Sequence, residues 1–495
     1  MYLWIFCLLT PIILWYSVFR FKRRHLYAMA NKVISPGKDL PFLGITLEIL
    51  GNTEDIMNKM KTYSEFTTEA GGVAKAWLGP LLYYMITDPA NLEVLLKYNL
   101  EKDELHRFMK DILGNASIFA PVSSWRPRRK IAVPAFSPKI LSSFVSVFSK
   151  EADKLSRLLK PMAGTGNFKI WFHINAYSLD SIMETAMGIQ INAQDNHDNK
   201  IPTALNESLR LSCERIFHLW LQPDWLYRFF PQHTNLKYYT KVVHDFTDEI
   251  IRKKKMQLNI DKTQPVHVNT SLLDILINQS GGYSDLELRE EVMTFIVAAV
   301  DTSAVCIGYT LKLLGKYPEI QQKVCDELDA VFQRSERQLH KDDLPKLQYL
   351  ERVIKETLRL FPPVPFIIRR AEKDVPLTET ITLPKGAGLI ASIWGVHRNP
   401  KAWGPDATCF DPDRFLPERL KTLPSCAFIP FSHGPRNCLG YQYAMMSMKT
   451  ALSSILRSYR VVGEPEKGPV PHIRAKLEVM MKAVDGFEVA LELRK

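Results

Sequence analysis

Residues 284–318 read SDLELREEVMTFIVAAVDTSAVCIGYTLKLLGKYP, one helical pattern that begins at a Ser/Asp cap and stops before Pro318. A surface helix needs a polar face, and this stretch is too long and too evenly apolar to have one. It is expected to run through the centre of the fold, so the remaining chain has to enclose it. The 495 residues, 46% hydrophobic and 24% charged, supply the material for that. No low-complexity tract or clear internal repeat divides the chain, and one large core is as good a reading as the roughly three domains that length alone suggests. Elsewhere the pattern is mostly helical. KILSSFVSVFSKEADKLSRLLK (139–160) repeats apolar residues at three- and four-residue intervals, and YQYAMMSMKTALSSIL (441–456) is a further helix. Two hairpins are predicted, VAKAWL-GP-LLYYMIT (73–87) and TITL-PKG followed by GLIASI (380–393). The fold class is mainly α with small β-sheets.

The first residues have a different character. Tyr2 to Phe19 carries no charged residue, and as a helix would span about 27 Å, close to a bilayer's hydrocarbon core. Pro11 is tolerated in a membrane helix, and Trp4, Trp15 and Tyr16 suit the interfacial belts. The basic run RFKRRH (20–25) follows at once, which places the N-terminus in the lumen and residues 26–495 in the cytosol. A cleaved signal peptide would carry its charges before the apolar run and small residues after it, and both features are missing. The expected division is therefore a transmembrane anchor at 1–19, a basic, proline-containing linker at 20–45 and a cytosolic domain at 46–495. LRLSCERIFHLWLQPDWLYRFF (209–230) is apolar and aromatic enough to touch the membrane as well.

The net charge of +11 fits a solvated basic surface, an anionic membrane or an acidic protein partner. Nucleic acid is not expected, because no basic strand interleaved with aromatics, helix-turn-helix signal or zinc-finger spacing is present. The seven cysteines are widely spaced, odd in number and without C-x-x-C, which argues against a disulfide framework or structural zinc. One stands apart. Cys438 lies in FSHGPRNCLG (431–440), between Gly434 and Gly440, two residues after Arg436 and just before a helix. The glycines let the loop turn sharply and approach a ligand closely. Cation charge, peptide N–H groups and a helix N-terminus favour a thiolate.

Phe431, Gly434, Arg436, Cys438 and Gly440 fill every fixed position of F-x-x-G-x-R-x-C-x-G. This is the haem-binding loop of the cytochrome P-450 (haem-thiolate monooxygenase) family, which the chain resembles. Glu356-Thr-Leu-Arg359 is similar to the family's E-x-x-R element, and FDPDRF (410–415) to its P-E-R-F element with Asp413 for Glu. Trp125-Arg-Pro-Arg-Arg129 matches W-x-x-x-R. Ala298-Ala-Val-Asp301-Thr302-Ser303 resembles A-G-x-D/E-T-T, with Ala299 for Gly and Ser303 for the second Thr. The motifs follow the family's order from 125 to 440.

The resemblance implies a helix-rich fold with the long helix over haem b and Cys438 as axial ligand to its iron. It implies propionate contacts from Trp125, Arg129, Arg436 and Arg369, and a buried, paired network of Glu356, Arg359 and Arg414 that fixes the cysteine loop. Pro127, awkward in a helix, is expected in its first turn. Thr302 is expected to bond back to the carbonyl of Ala298, and in the family this Thr and the adjacent acid, here Asp301, deliver protons to dioxygen. The implied reaction inserts one atom of O2 into an apolar substrate, with electrons from NADPH through a membrane-bound flavoprotein reductase. A small haem electron carrier is a further partner of this kind. The branch resembled is the animal microsomal one that includes fatty-acid hydroxylases and insect enzymes, which implies an endoplasmic reticulum membrane. Many of those hydroxylases carry a Glu at the position of Ala298 that esterifies the haem. Covalent attachment is therefore not expected here, and strict terminal hydroxylation is not implied. Haem-thiolate isomerases or dehydratases, and a haem-binding or gas-sensing protein, are the alternative classes, against which Asp301-Thr302 counts. Phe119, Val364, Phe366, Ile367 and Met480 mark an apolar pocket, which does not choose among fatty acids, hormones, steroids and xenobiotics.

Overall fold

The computed structural model describes residues 2–196, 199–261, 271–278 and 282–494. Asp285–Lys316 is one helix, opened by a capping box in which the Ser284 hydroxyl accepts from the Glu287 N–H and the Glu287 carboxylate accepts from the Ser284 N–H. Among the described residues it is the helix long and apolar enough to cross a membrane, yet protein encloses it, so it is a core helix. Helices Trp171–Ile182, Pro231–Asp261, Gln348–Leu360 and Tyr441–Ser458 pack around it, with strand Met480–Ala483. Pro138–Leu159 forms as its periodicity predicts and buries Leu141, Phe144, Val145, Phe148 and Leu155 on one face.

The main sheet has four strands in the order Val73–Leu78, Leu81–Ile86, Gly388–Ser392, Phe366–Arg370. The first hairpin has the predicted two-residue turn, with Leu78 opposite Leu81 and Val73 opposite Ile86. The second predicted hairpin does not form. Gly388–Ser392 is buried along its whole length and lies parallel to Leu81–Ile86 on one side and antiparallel to Phe366–Arg370 on the other. Thr382–Leu383 pairs with Val375–Pro376 instead. A continuous apolar run without alternation marks a strand buried on both faces, which seeks a central place in a larger sheet. Gly388 is required there, since a Cβ would stand 2.1 Å from the Tyr83 ring.

Tyr2–Lys22 is a continuous helix through Pro11, followed by a short helix Arg24–Ala30. The side chains of residues 2–9 and 12, among them Trp4 and Cys7, lie outside the described set. Residues 31–45 lie against the hairpin, with the Lys75 N–H donating to Ile34 O at 2.9 Å and the Ile45 N–H to Trp77 O at 2.8 Å. After Phe217 the chain leaves the helical pattern in short turns that expose Trp225 and Phe229.

Candidate active site

The cysteine loop closes on itself. The Cys438 N–H donates to Phe431 O at 2.8 Å and the Asn437 N–H to Gly434 O at 3.1 Å, while the Phe431 ring meets Tyr441 edge-on. Gly434 sits at φ +73°, and a Cβ there would lie 2.6 Å from Leu96 O, so only glycine fits. Gly440 is different. Its φ of −89° is open to any residue, and it serves as the N-cap of Tyr441–Ser458. The backbone freedom expected of both glycines is used at one.

Arg436, the cation nearest Cys438 in sequence, turns away from it. Its guanidinium lies 4.6 Å from the centre of the Trp125 ring and donates to Ala120 O. The cation whose field reaches the sulfur is Arg129, held by Asn437 through its carbonyl O at 2.7 Å and Oδ1 at 2.6 Å. Burial nevertheless outweighs the Gly440 N–H and Arg129, and pushes the Cys438 thiol up from its ordinary value. By itself the loop thus holds a thiol, which becomes a thiolate when a metal cation coordinates it. Pro127 is in the middle of helix Val122–Ala132 rather than its first turn, on an exposed stretch where one missing N–H is tolerated.

Arg369 and Arg436 are 2% and 8% exposed, yet Nε of Arg369 and both Nε and Nη1 of Arg436 have no hydrogen-bond partner. Burial brings each down to about 10, and for Arg369 the charge of Arg436 adds to the effect. Lys102, paired in a β-bridge with Arg369, is pulled well below the ordinary lysine value by burial and by these two arginines. Sequence reading missed Lys102, because a lone lysine in a loop carries no motif. His106 is next to it, neutral, with its pKa lowered to about 3 by burial and by Lys102. Unpartnered buried cationic donors are costly unless an anion meets them.

Within the enclosed stretch from Glu290 to Leu311 of the central helix, the residues that keep accessible surface are Phe295, Ala298, Ala299 and Thr302. Their spacing of three, four and seven places them on one face. Cys438, Lys102 and His106 show the same combination of accessible surface and surrounding protein, the mark of side chains that look into an internal cavity. Thr302 Oγ1 donates to Ala298 O at 2.6 Å, as expected. No carboxylate stands at 298, and Glu291 nearby is spent on Ser117 and Arg128.

Asp301 points elsewhere. It is 2% exposed, accepts from Asn175 Nδ2 at 3.1 Å, and pairs with Lys482 Nζ at 2.8 Å. Lys482, also buried, donates to Asn206 Oδ1 at 2.6 Å and lies 4.6 Å from the centre of the Trp171 ring. It belongs to strand Met480–Ala483, directly after Val479, whose φ is +68°. Sequence distance hid this partner: residues 301 and 482 meet only through the tertiary fold.

Glu356, Arg359 and Arg414 come together. Arg359 and Glu356 are fully buried, with Nε to Oε2 at 2.6 Å and Nη2 to Oε1 at 2.7 Å. Arg414 Nε stands 3.6 Å from Glu356 and its Nη2 2.6 Å from Asp406. Arg359 also donates to the carbonyls of His397, Ala407 and Cys409. His397 carries the tie onward, with Nδ1 on Arg359 O at 3.1 Å and Nε2 accepting the Ile429 N–H at 2.9 Å, two residues before Phe431.

A flat dianion with a metal at its centre fits these donors. Its carboxylates would meet Arg369, Arg436 and Lys102, its metal would meet the sulfur, and the small-residue face would lie over it. The family model described as Cytochrome P450 matches residues 34–487, and the chain belongs to that family. It is a haem monooxygenase for apolar substrates. It binds haem b non-covalently with a cysteine thiolate as axial ligand, and takes electrons from a redox partner. Cytochrome P450 4V2 of Pongo abelii is 35% identical over 435 residues, 85% of this chain and 82% of that one. Cytochrome P450 4c3 of Drosophila melanogaster is 30% identical over 508 residues, 98% and 94% of the two chains. The crystal structure of the cytochrome P450DA heme domain superposes with a TM-score of 0.80 at 20% identity, covering 94% of this chain and 98% of that one.

Proposed function

We propose that Cys438 is the axial ligand and that Lys102, Arg369 and Arg436, with Trp125 beneath Arg436, hold the two propionates. We further propose that the enzyme sits in the endoplasmic reticulum membrane through Tyr2–Lys22, lumenal at its N-terminus. It draws electrons from NADPH through a flavoprotein reductase, with a small haem protein as a second donor. When bound, the haem supplies the dioxygen-activating chemistry, and the protein supplies position and protons. Thr302 Oγ1, on the cavity face, is the atom at which a proton is held. Asp301 restores that proton when its carboxylate leaves Lys482, takes up a proton from water and passes it on. Glu356, Arg359 and Arg414 keep the cysteine loop in register, and Arg129 pins Asn437 beside Cys438. Phe119, Val364, Phe366, Ile367 and Met480 line the route of an apolar substrate, a fatty acid, hormone, steroid or xenobiotic.

The observation that carries this reading is the face of Phe295, Ala298, Ala299 and Thr302, open in a stretch from Glu290 to Leu311 that is otherwise closed on every side. The test is the carbon monoxide difference spectrum of dithionite-reduced protein, for wild type and Cys438→His. A long-wavelength thiolate band in the wild type, absent from the variant, supports the assignment. A short-wavelength band from freshly prepared wild-type membranes refutes it.

A further inference from the structure

A second cavity, of about 590 Å³, lies far along the chain from these motifs, where the N-terminal helix meets the hairpin. Trp15, Tyr16, Phe19 and Phe42 make its apolar walls, and Arg20 and Lys75 are its cations. Trp15 stacks on Phe42 with ring centres 5.5 Å apart, and Tyr16 lies 4.0 Å from the same ring. Lys75 is answered within the protein, by Asp39 at 3.7 Å and Asn31 at 3.3 Å. Arg20 is not. Its guanidinium lies 3.7 Å from the centre of the Tyr27 ring, and among the described residues no carboxylate pairs with it. The three charges of the cavity therefore sum to one uncompensated positive charge, and no acidic residue precedes Asp39 in the chain. Leu40 lines the cavity with an exposed apolar side chain, and Ile34, Leu43 and Leu47 in the same stretch of chain are exposed as well.

We propose that this cavity binds one anionic glycerophospholipid. Its phosphodiester lies on Arg20, and the first part of an acyl chain lies along Trp15, Phe19 and Phe42. The proposal rests on the reading of Tyr2–Lys22 as a membrane anchor. Arg20 is then at the cytosolic end of that helix, at the depth of the headgroup layer, where lipid is the most concentrated ligand. The volume is that of an ordinary small-molecule site, and an aromatic wall against a cationic floor matches a headgroup joined to its chain. A zwitterionic headgroup carries no net charge and leaves the positive charge of the cavity unanswered, so a net anionic one is preferred.

Full-length protein in nanodiscs of phosphatidylcholine with one-fifth phosphatidylserine tests this. Lipid that stays on the protein after gentle release is read by native mass spectrometry. One retained phosphatidylserine per chain is expected, with its preference over phosphatidylcholine reduced about fivefold in Arg20→Gln, the effect of one interfacial cation. Lys22→Gln, an exposed cation outside the cavity, leaves the preference unchanged, and Phe42→Ala lowers retention of both lipids. Equal retention of the two lipids overturns the proposal, as does an Arg20→Gln result matched by Lys22→Gln. Displacement of the lipid by excess inorganic phosphate would show a free-anion site and also overturns it. Flotation with vesicles of the same composition separates the two levels. Protein that floats without selective retention removes the lipid site alone, and protein that does not float removes the anchor reading and the site together.

Discussion

Replacing Lys482 by Met keeps the volume of the side chain and removes its charge. Asp301, 2% exposed, is then left with the Asn175 amide as its sole donor among the described residues. Breaking a buried pair from one side costs about 3–5 kcal/mol. Unfolding entropy of about 2.1 cal/mol/K per residue, over 495 residues, gives about 1 kcal/mol per degree. Lys482→Met should accordingly lower the thermal midpoint by about 3–5 °C. Asp301→Asn leaves the ammonium with Asn206 and the Trp171 face, and should cost about 1.5–3 kcal/mol. In the double variant an amide faces a thioether, no charge is stranded, and the loss should fall to about 1 kcal/mol. The cycle thus predicts a coupling of about 3 kcal/mol or more, read by calorimetry on haem-loaded protein at neutral pH. Equal losses in Lys482→Met and the double variant would bear this out in part, but simple additivity of the two single losses would refute the pairing. If Asp301 also restores the proton held at Thr302, Lys482→Met changes the pH profile of substrate oxidation while Lys482→Arg keeps the wild-type shape.

Gly434→Ala should abolish the thiolate carbon monoxide band through loss of haem, because the new Cβ meets Leu96 O, whereas Gly440→Ala should retain it; absorbance of the purified variants decides. Stability should fall on acidification below the unfolded histidine value of 6.5, since His397 and His106 are each lowered to about 3 by burial. Between those values the unfolded chain binds protons that the folded one refuses, at about 1.4 kcal/mol per histidine by about pH 5.5. His397→Gln should flatten part of that slope in urea titrations across pH. Arg359→Met leaves Glu356 with the Asp411 N–H and the more distant Arg414, and strands three carbonyl oxygens, a loss of about 5 kcal/mol. It should yield protein without haem, seen as a low Soret-to-280 nm ratio. Lys102→Met should raise the rate of haem transfer to an apo-globin acceptor while leaving the Soret position unchanged.

Much of this was legible in the chain because its signals are local. The Ser/Asp cap and apolar run predicted the central helix nearly to the residue, and the spacing around Cys438 predicted a turn that Gly434 makes with a positive φ. Pairings between distant segments were not legible. GLIAS has no alternation, so its neighbours on both sides could not be read from its own sequence, and the predicted hairpin was drawn to the nearest strand instead. Lys102 and Lys482 are ordinary lysines until folding buries them beside Arg369 and Asp301. Arg129 and Arg436 were placed by motif on the same task, whereas the geometry divides them: one steadies Asn437 beside the sulfur, and the other joins the cations over Trp125.

Those cations set terms for the protein before it meets any substrate. Lys102, Arg369 and Arg436 repel one another in a place with little water, and the chain supplies too few acceptors to calm them. With its propionates on these cations as proposed, the prosthetic group would be a counter-ion as well as a reagent. Its binding would draw on repulsion already stored in the polypeptide and add to folding by mass action. A cell short of haem would then hold less of this protein, because chains folded without it would be the first to open and be degraded.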